Sequence, residues 1–177
     1  MQITTNILSG KTQTHLNDSC LLHADVFGPF SVLQSAAENE GFDLQVASGF
    51  RSYERQLLIW NEKATGKRPL LDNFGQPLNI ENLTDIQKVF SILRWSALPG
   101  CSRHHWGTDI DIWDAGSVPK DYRPRLIASE YSYGGPFYKL ASWLSVSSED
   151  FGFQMPYSHD HGGIAREPWH LSYAPLA

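Results

Sequence analysis

The spacing of apolar residues along the chain predicts a mixture of helices and short strands. Apolar positions three or four residues apart predict helices over residues 29–40, 53–64, 85–97 and 136–144. Alternation of apolar and polar positions predicts strands over residues 43–48, 108–113, 151–155 and 169–173. Because the strands are short and do not alternate regularly with helices, we expect an α+β fold with a small, mainly antiparallel sheet flanked by helices.

Two of the predicted helices carry signals at their ends. The first is expected to run from about Pro29 to Glu40, to bury an apolar stripe around Phe30 and to end at Gly41, a residue typical of helix ends. The third follows a capping-box sequence, Thr84 to Gln87, and its apolar positions keep helical spacing as far as Ala97. Residues 67–81, with their prolines and glycine, are predicted to form an irregular loop.

Composition limits the class of protein. The chain has 177 residues, which predicts one domain over 1–177, and 14 Lys and Arg against 19 Asp and Glu leave a net charge of −5. This charge makes nucleic acid and anionic membranes poor partners, and no apolar stretch approaches the roughly 18 residues of a membrane span. The first residues lack the features of a signal peptide, so we expect a cytoplasmic location, with the periplasm as the alternative. We also expect the protein to be a monomer.

Two short segments concentrate side chains that bind metal ions. The first, residues 102–111, contains His104 and two aspartates, Asp109 and Asp111, on the same face of a predicted strand. The second, residues 167–170, contains Glu167 and His170. Two imidazoles and one carboxylate form the three-ligand set of a catalytic zinc site, in which the fourth position stays open for water. Glu167 would then remain as a spare carboxylate that can transfer a proton.

These segments resemble a known enzyme family. Ser102-x-His104, then Gly107, then Asp111, followed far downstream by Glu167-Pro168-Trp169-His170, is similar to the zinc D-alanyl-D-alanine carboxypeptidases and dipeptidases of the VanY/VanX type. The upstream segment Ser48 to Ser52, with Gln56 after it, resembles a Ser-Gly-Tyr-Arg-Ser motif of the same family. These families share the Hedgehog/DD-peptidase fold with lysostaphin and the Hedgehog N-terminal domain.

The resemblance implies a set of roles for the site residues. The implied zinc ligands are His104, Asp111 and His170, and the implied catalytic base is Glu167. The resemblance gives Arg51 the task of stabilising the polarised carbonyl or of holding a peptide carboxylate. The implied contacts with substrate are Arg51, Gln56, Ser102 and Trp169. The implied substrate is a peptidoglycan stem peptide or muropeptide, hydrolysed by a D,D- or L,D-carboxypeptidase.

Asp109 is a departure from the family pattern, which usually has a small residue there. The distance along the chain from His104 favours Asp111 as the ligand, and Asp109 is expected to orient an imidazole or Arg51. The long segment between Gln56 and Ser102 is expected to lie beside the cleft and to restrict which substrates fit.

Two other functions fit the same residues. One is a phage-type endopeptidase that cuts within the stem peptide. The other is a non-catalytic zinc-bearing binding module, which would have no need for Glu167 or Arg51, although both are present.

Several other residues of these regions have simpler interpretations. A surface position is expected for His105, and a polar turn, without a second metal site, for the segment around His159 and His161. Cys101 lacks the partners of a nucleophilic cysteine, and Cys20 is expected to be a small buried thiol.

Overall fold

The computed structural model describes residues 3–17 and 21–177. In chain order the elements are α1 (Thr5–Leu8), α2 (Ala24–Asn39), β1 (Leu44–Ser48), α3 (Tyr53–Ala64), α4 (Asp85–Leu93), β2 (Asp109–Asp114), α5 (Ala128–Tyr131), α6 (Tyr138–Ser147), β3 (Phe153–Gln154) and β4 (His170–Tyr173). A 3-10 helix, Arg103–Trp106, precedes β2. Cys20, expected to be buried, lies outside the described residues.

The four strands form one antiparallel sheet in the order β1-β2-β4-β3, which confirms the predicted α+β class. Strand β2 lies between the strands that carry the other two motifs. Asp111 is opposite Ser48 on β1 and opposite His170 on β4. Strand pairing therefore brings together three segments that are far apart in the sequence.

The two faces of β2 have different surroundings. Ile110 and Ile112 are fully buried in the main hydrophobic core, where α2 and α6 pack against the sheet. A second apolar cluster contains Phe137 and Trp169. Asp109 and Asp111 alternate with the two isoleucines along the strand and belong to its opposite face. The apolar face thus anchors the strand, while the polar face carries the candidate chemistry.

Helix α2 begins at Ala24, five residues before the predicted start, which was wrong. The side chain of His23 caps it by accepting a hydrogen bond from the Asp25 amide at 3.2 Å. Val26 extends the predicted buried stripe by one turn toward the N-terminus. Pro29 is therefore inside the helix, where the apolar packing on both sides of it outweighs its missing amide hydrogen.

Helix α4 differs from the prediction in its length and in its buried face. It ends at Leu93, and Ile86 and Phe90 of the apolar stripe are 70% and 68% exposed. The residue that it buries is Ile92. Helical spacing identified an apolar face correctly, but spacing carries no information on whether another element covers that face.

The remaining predicted helices and strands occur with end positions that differ by a few residues. Helix α3 has the predicted bounds, with Ser52 capping it through a bond to the Arg55 amide. Among the described residues, none of the helices combines the length and the apolar character that a bilayer crossing requires.

Candidate active site

Three side chains from three structural elements converge beside strand β2. His104 lies on the 3-10 helix, Asp111 on β2 and His170 at the start of β4. Each offers one ligand atom, and these atoms lie within 4.8 Å of one another. Within residues 3–17 and 21–177, this is the one group of three or more His, Cys, Asp or Glu side chains that meets such a condition.

A second hydrogen bond orients each imidazole. Nδ1 of His104 donates to the carbonyl oxygen of Gly49 at 2.9 Å, which leaves Nε2 facing Asp111 Oδ2 at 3.4 Å. Nε2 of His170 donates to Asp109 Oδ1 at 2.9 Å, and Nδ1 faces Asp111 Oδ1 at 3.1 Å. Histidine ligands of metals are commonly fixed in this way by a carbonyl or a carboxylate. The donor set and its outer partners therefore fit a zinc ion.

The buried charges of this group influence one another. Although burial opposes ionisation, hydrogen bonding and the charge of His170 hold the pKa of Asp109 at about 2. Burial also opposes the charged form of His170, but bonds to Asp109 and Asp111 raise its pKa to about 9. For His104 burial dominates and lowers the pKa to about 4. Asp109 is thus an ionised hydrogen-bond acceptor, and it orients an imidazole as the sequence suggested.

Glu167 lies beside the three converging side chains. Its Oε2 is 3.7 Å from Nδ1 of His170, and burial raises its pKa to about 7. A carboxyl group with this pKa can accept and return a proton near neutral pH. The ring of Tyr157 packs against His170, with 4.8 Å between centroids, and the Tyr157 carbonyl accepts a bond from the Glu167 amide.

Arg51 approaches the group from the segment between β1 and α3. One of its terminal nitrogens, Nη2, is 3.9 Å from Asp111 Oδ2 and donates to Ser48 Oγ at 3.1 Å. The other donates to Gln56 Oε1, also at 3.1 Å. Gln56 in turn donates to the carbonyl oxygen of Ala97 at 2.6 Å. Both ends of the Gln56 amide are thus bonded within the protein.

The position of Gln56 differs from the expected contact with substrate. Its side chain is fully buried beneath Arg51 and does not line the cleft. A fully buried polar group needs hydrogen-bond partners within the protein, and Gln56 is bonded to Arg51 and Ala97. Its position makes Gln56 a support for the guanidinium.

The expected surface position of His105 was wrong. The side chain is fully buried, its Nδ1 donates to the Arg51 carbonyl at 2.6 Å, and its Nε2 accepts from the Gly100 amide at 3.0 Å. This imidazole therefore ties the backbone of Arg51 to the loop before Ser102. No local pattern predicts this burial, because a histidine that follows His104 on a loop is usually solvated.

A cleft of about 540 Å³ opens above these residues. Ser102 and Trp169, both expected to contact substrate, line it, and both are almost fully buried. The exposed Cys101 lies at the same cleft. The segment between Gln56 and Ser102 contributes one wall, as expected, through residues that include Ile59, Lys63, Leu71 and Trp95.

The loop with His159 and His161 lies away from the three converging side chains. Its Asp160 forms an ion pair with Arg94, which also donates to the carbonyl of Gly163 at 2.7 Å. Both histidines are exposed. These contacts agree with the interpretation as a polar turn, here held by Arg94.

The α+β fold and this arrangement of side chains are those of a carboxypeptidase family. The chain belongs to the VanY D-alanyl-D-alanine carboxypeptidase family, whose model matches residues 19–176. It is 30% identical over 147 residues to a D-alanyl-D-alanine carboxypeptidase of Enterococcus faecalis, which covers 81% of this chain and 45% of that protein. The chain thus spans less than half the length of this relative.

Solved structures of VanY are among those similar to this one. VanYB in complex with D-alanine-D-alanine has a TM-score of 0.63 and 25% identity, covering 86% of this chain and 71% of that one. A glutamate-to-alanine mutant of the vancomycin resistance D,D-pentapeptidase VanY, in complex with Zn(II), has a TM-score of 0.61 and 24% identity. The second match covers 90% of this chain and 76% of the other, and at this identity it supports the fold alone.

Proposed function

We propose that this protein is a zinc-dependent carboxypeptidase that removes the C-terminal residue from peptidoglycan-type peptides by D,D- or L,D-hydrolysis. The convergence of His104, Asp111 and His170, with Glu167 beside them, carries the proposal. A metallopeptidase needs a metal ion as Lewis acid, a proton carrier and a group that offsets negative charge, and these residues with Arg51 supply the matching positions. Family membership and the dipeptide bound to VanYB support this choice of substrate.

His104, Asp111 and His170 would hold the zinc ion, and Asp109 and the Gly49 carbonyl would keep the imidazoles oriented. When bound, zinc polarises a carbonyl group and lowers the pKa of water to about 7. Glu167 then accepts the proton of the attacking water and returns it to the nitrogen of the leaving residue. Arg51, held rigidly by Ser48 and Gln56, offsets the negative charge that develops on the carbonyl oxygen.

The test combines metal analysis with mass spectrometry of digested muropeptides. We expect one zinc ion per chain and loss of a single C-terminal residue from the stem peptide. Paired internal fragments would instead identify an endopeptidase. Zinc without hydrolysis of any peptide would favour a binding module, and full activity in metal-free protein would contradict the proposal outright.

A further inference from the structure

Lys63 is a buried cation within the cleft. Its residue is 8% exposed, and its ammonium donates to Ser96 Oγ at 2.8 Å. Among residues 3–17 and 21–177, no carboxylate oxygen lies within 4.0 Å of its Nζ. An ammonium has three donor hydrogens, so a single hydroxyl contact leaves most of its hydrogen-bonding capacity unused.

The other cations of the cleft have partners or contact solvent. Arg68 donates twice to Glu62, at 2.9 and 3.1 Å, and Arg103 donates to Asp109 at 2.7 Å. Arg125 is exposed. Buried lysines are rare unless they are paired, because removal of a charge from water is costly. Lys63 therefore has the features of a group that binds an anion from outside the chain.

Helix α3 aligns Lys63 with the support of Arg51. Gln56, Ile59 and Lys63 are the buried residues of this helix, spaced by three and four positions, so they share one face. Gln56 and Lys63 are about 10 Å apart along the helix axis. Because Arg51 is bonded to Gln56, Arg51 and Lys63 contact different parts of a peptide that lies along the cleft. Ile59, between them, supplies an apolar contact.

We infer that Lys63 anchors a carboxylate group of the bound peptide. The inference rests on the proposed function, and it assigns separate tasks to two cations. Arg51, 3.9 Å from Asp111, acts at the scissile carbonyl, whereas Lys63 selects peptides with a negative group farther along the cleft. The carboxylate is either the C-terminus of the peptide or an acidic side chain.

The electrostatics of the cleft agree with this assignment. Burial, together with the positive charge of Arg68, lowers the pKa of Lys63 to about 8, while Glu167 opposes the change. The ammonium thus remains the main form at neutral pH, in surroundings that favour an incoming anion. The cleft gathers these cations although the chain as a whole carries a net charge of −5.

The test compares four acylated peptides that end in D-alanyl-D-alanine. Two have a glutamyl residue before this dipeptide and two have a glutaminyl residue, and one of each pair has its C-terminus amidated. Binding is measured by calorimetry on zinc-loaded protein with Glu167→Ala, so that turnover does not interfere. Lys63→Gln, which can keep a bond to Ser96, and Lys63→Met are added to this background. Lys67→Gln, at an exposed lysine of the next loop, is the matched control.

We expect Lys63→Gln to weaken binding about tenfold or more for the peptides that carry the recognised carboxylate, and to leave binding of the peptides that lack it unchanged. Dependence on the C-terminus or on the glutamyl side chain identifies which carboxylate binds. An equal loss for all four peptides, no loss, or no binding would overturn the inference. Thermal melting shows whether both Lys63 variants fold. Hydrolysis by the unmodified protein is measured separately, so failure of the proposed function is recognised independently.

Discussion

Asp109 accepts a hydrogen bond from Nε2 of His170 at 2.9 Å, and the opposite ring nitrogen of His170 faces Asp111. Asp109 on β2 thus orients the same imidazole that contacts Asp111 on that strand. The two aspartates are two positions apart, so both lie on the polar face of the strand, yet they have different tasks.

This relationship predicts the effect of Asp109→Asn on metal binding. Loss of the negative acceptor should weaken the orientation of His170 and reduce zinc affinity by about 10- to 100-fold. Competition with a chelator measures the affinity, and Asp121→Asn, at an exposed position, is the control. Reduced thermal stability with unchanged zinc affinity would show that Asp109 only supports the fold, through Arg103 and Thr108.

Glu167 and His170 are expected to respond differently to replacement. Glu167→Ala should keep the zinc ion and lose nearly all turnover, because a well-placed proton carrier contributes about 10²- to 10⁴-fold. His170→Ala should lose the zinc ion as well, since it removes one of the three proposed ligands. Metal content and muropeptide hydrolysis of both variants separate the two roles. A Glu167→Ala protein that remains fully active would exclude this residue as the base.

His15 predicts a loss of stability in mild acid. Burial, together with the neighbouring His23, lowers its pKa in the folded protein below the ordinary value of 6.5. As the pH falls below 6.5, the unfolded chain therefore binds a proton at His15 before the folded protein does. The contribution of neutral His15 to the free energy of unfolding is complete above pH 6.5, and it is lost as the pH falls toward the lower pKa of the folded state.

The measurement is the free energy of unfolding at pH 7.5 and at pH 5. For His15→Leu the decrease between these values should be smaller than for the unmodified protein, by up to about 1.4 kcal/mol for each pH unit in this interval. His159→Leu, which changes an exposed histidine, is the control. Identical pH dependence in all three proteins would refute the assignment to His15.

Gly107 is expected to tolerate no side chain. It has φ +70 between the 3-10 helix and β2, and a Cβ atom there would lie 2.6 Å from Leu16 Cδ2 and 2.8 Å from the His23 nitrogen. Gly107→Ala should cost about 1–2 kcal/mol for the left-handed backbone, and about 1–3 kcal/mol more for the collision. Gly134→Ala, at φ +83 with open space around it, isolates the backbone component. Equal melting temperatures for the two variants would disprove the collision.

Much of the site could be predicted because it consists of short motifs with fixed spacing. The tripeptide of Ser102 and His104, with Asp111 seven residues after the histidine, carried the family resemblance and indicated the candidate metal ligands. The strand prediction was correct because Ile110 and Ile112 alternate with the aspartates, and this alternation is a local property. The start of α2 and the buried face of α4 were wrong, because both depend on packing partners that are distant in sequence.

The sequence by itself determined which reactive groups the candidate site can draw on: two imidazoles, an aspartate, a glutamate and an arginine, on elements of the predicted type. Only the tertiary structure decided which of these groups meet and what holds them. It bonded His105 to the backbone of Arg51, buried Gln56 beneath the guanidinium, and left Lys63 in the cleft with no carboxylate oxygen of the described residues within 4.0 Å. Residue type fixes what a side chain can bond, whereas burial and contacts across the sheet, which decide what it does bond, arise only when distant segments pack together.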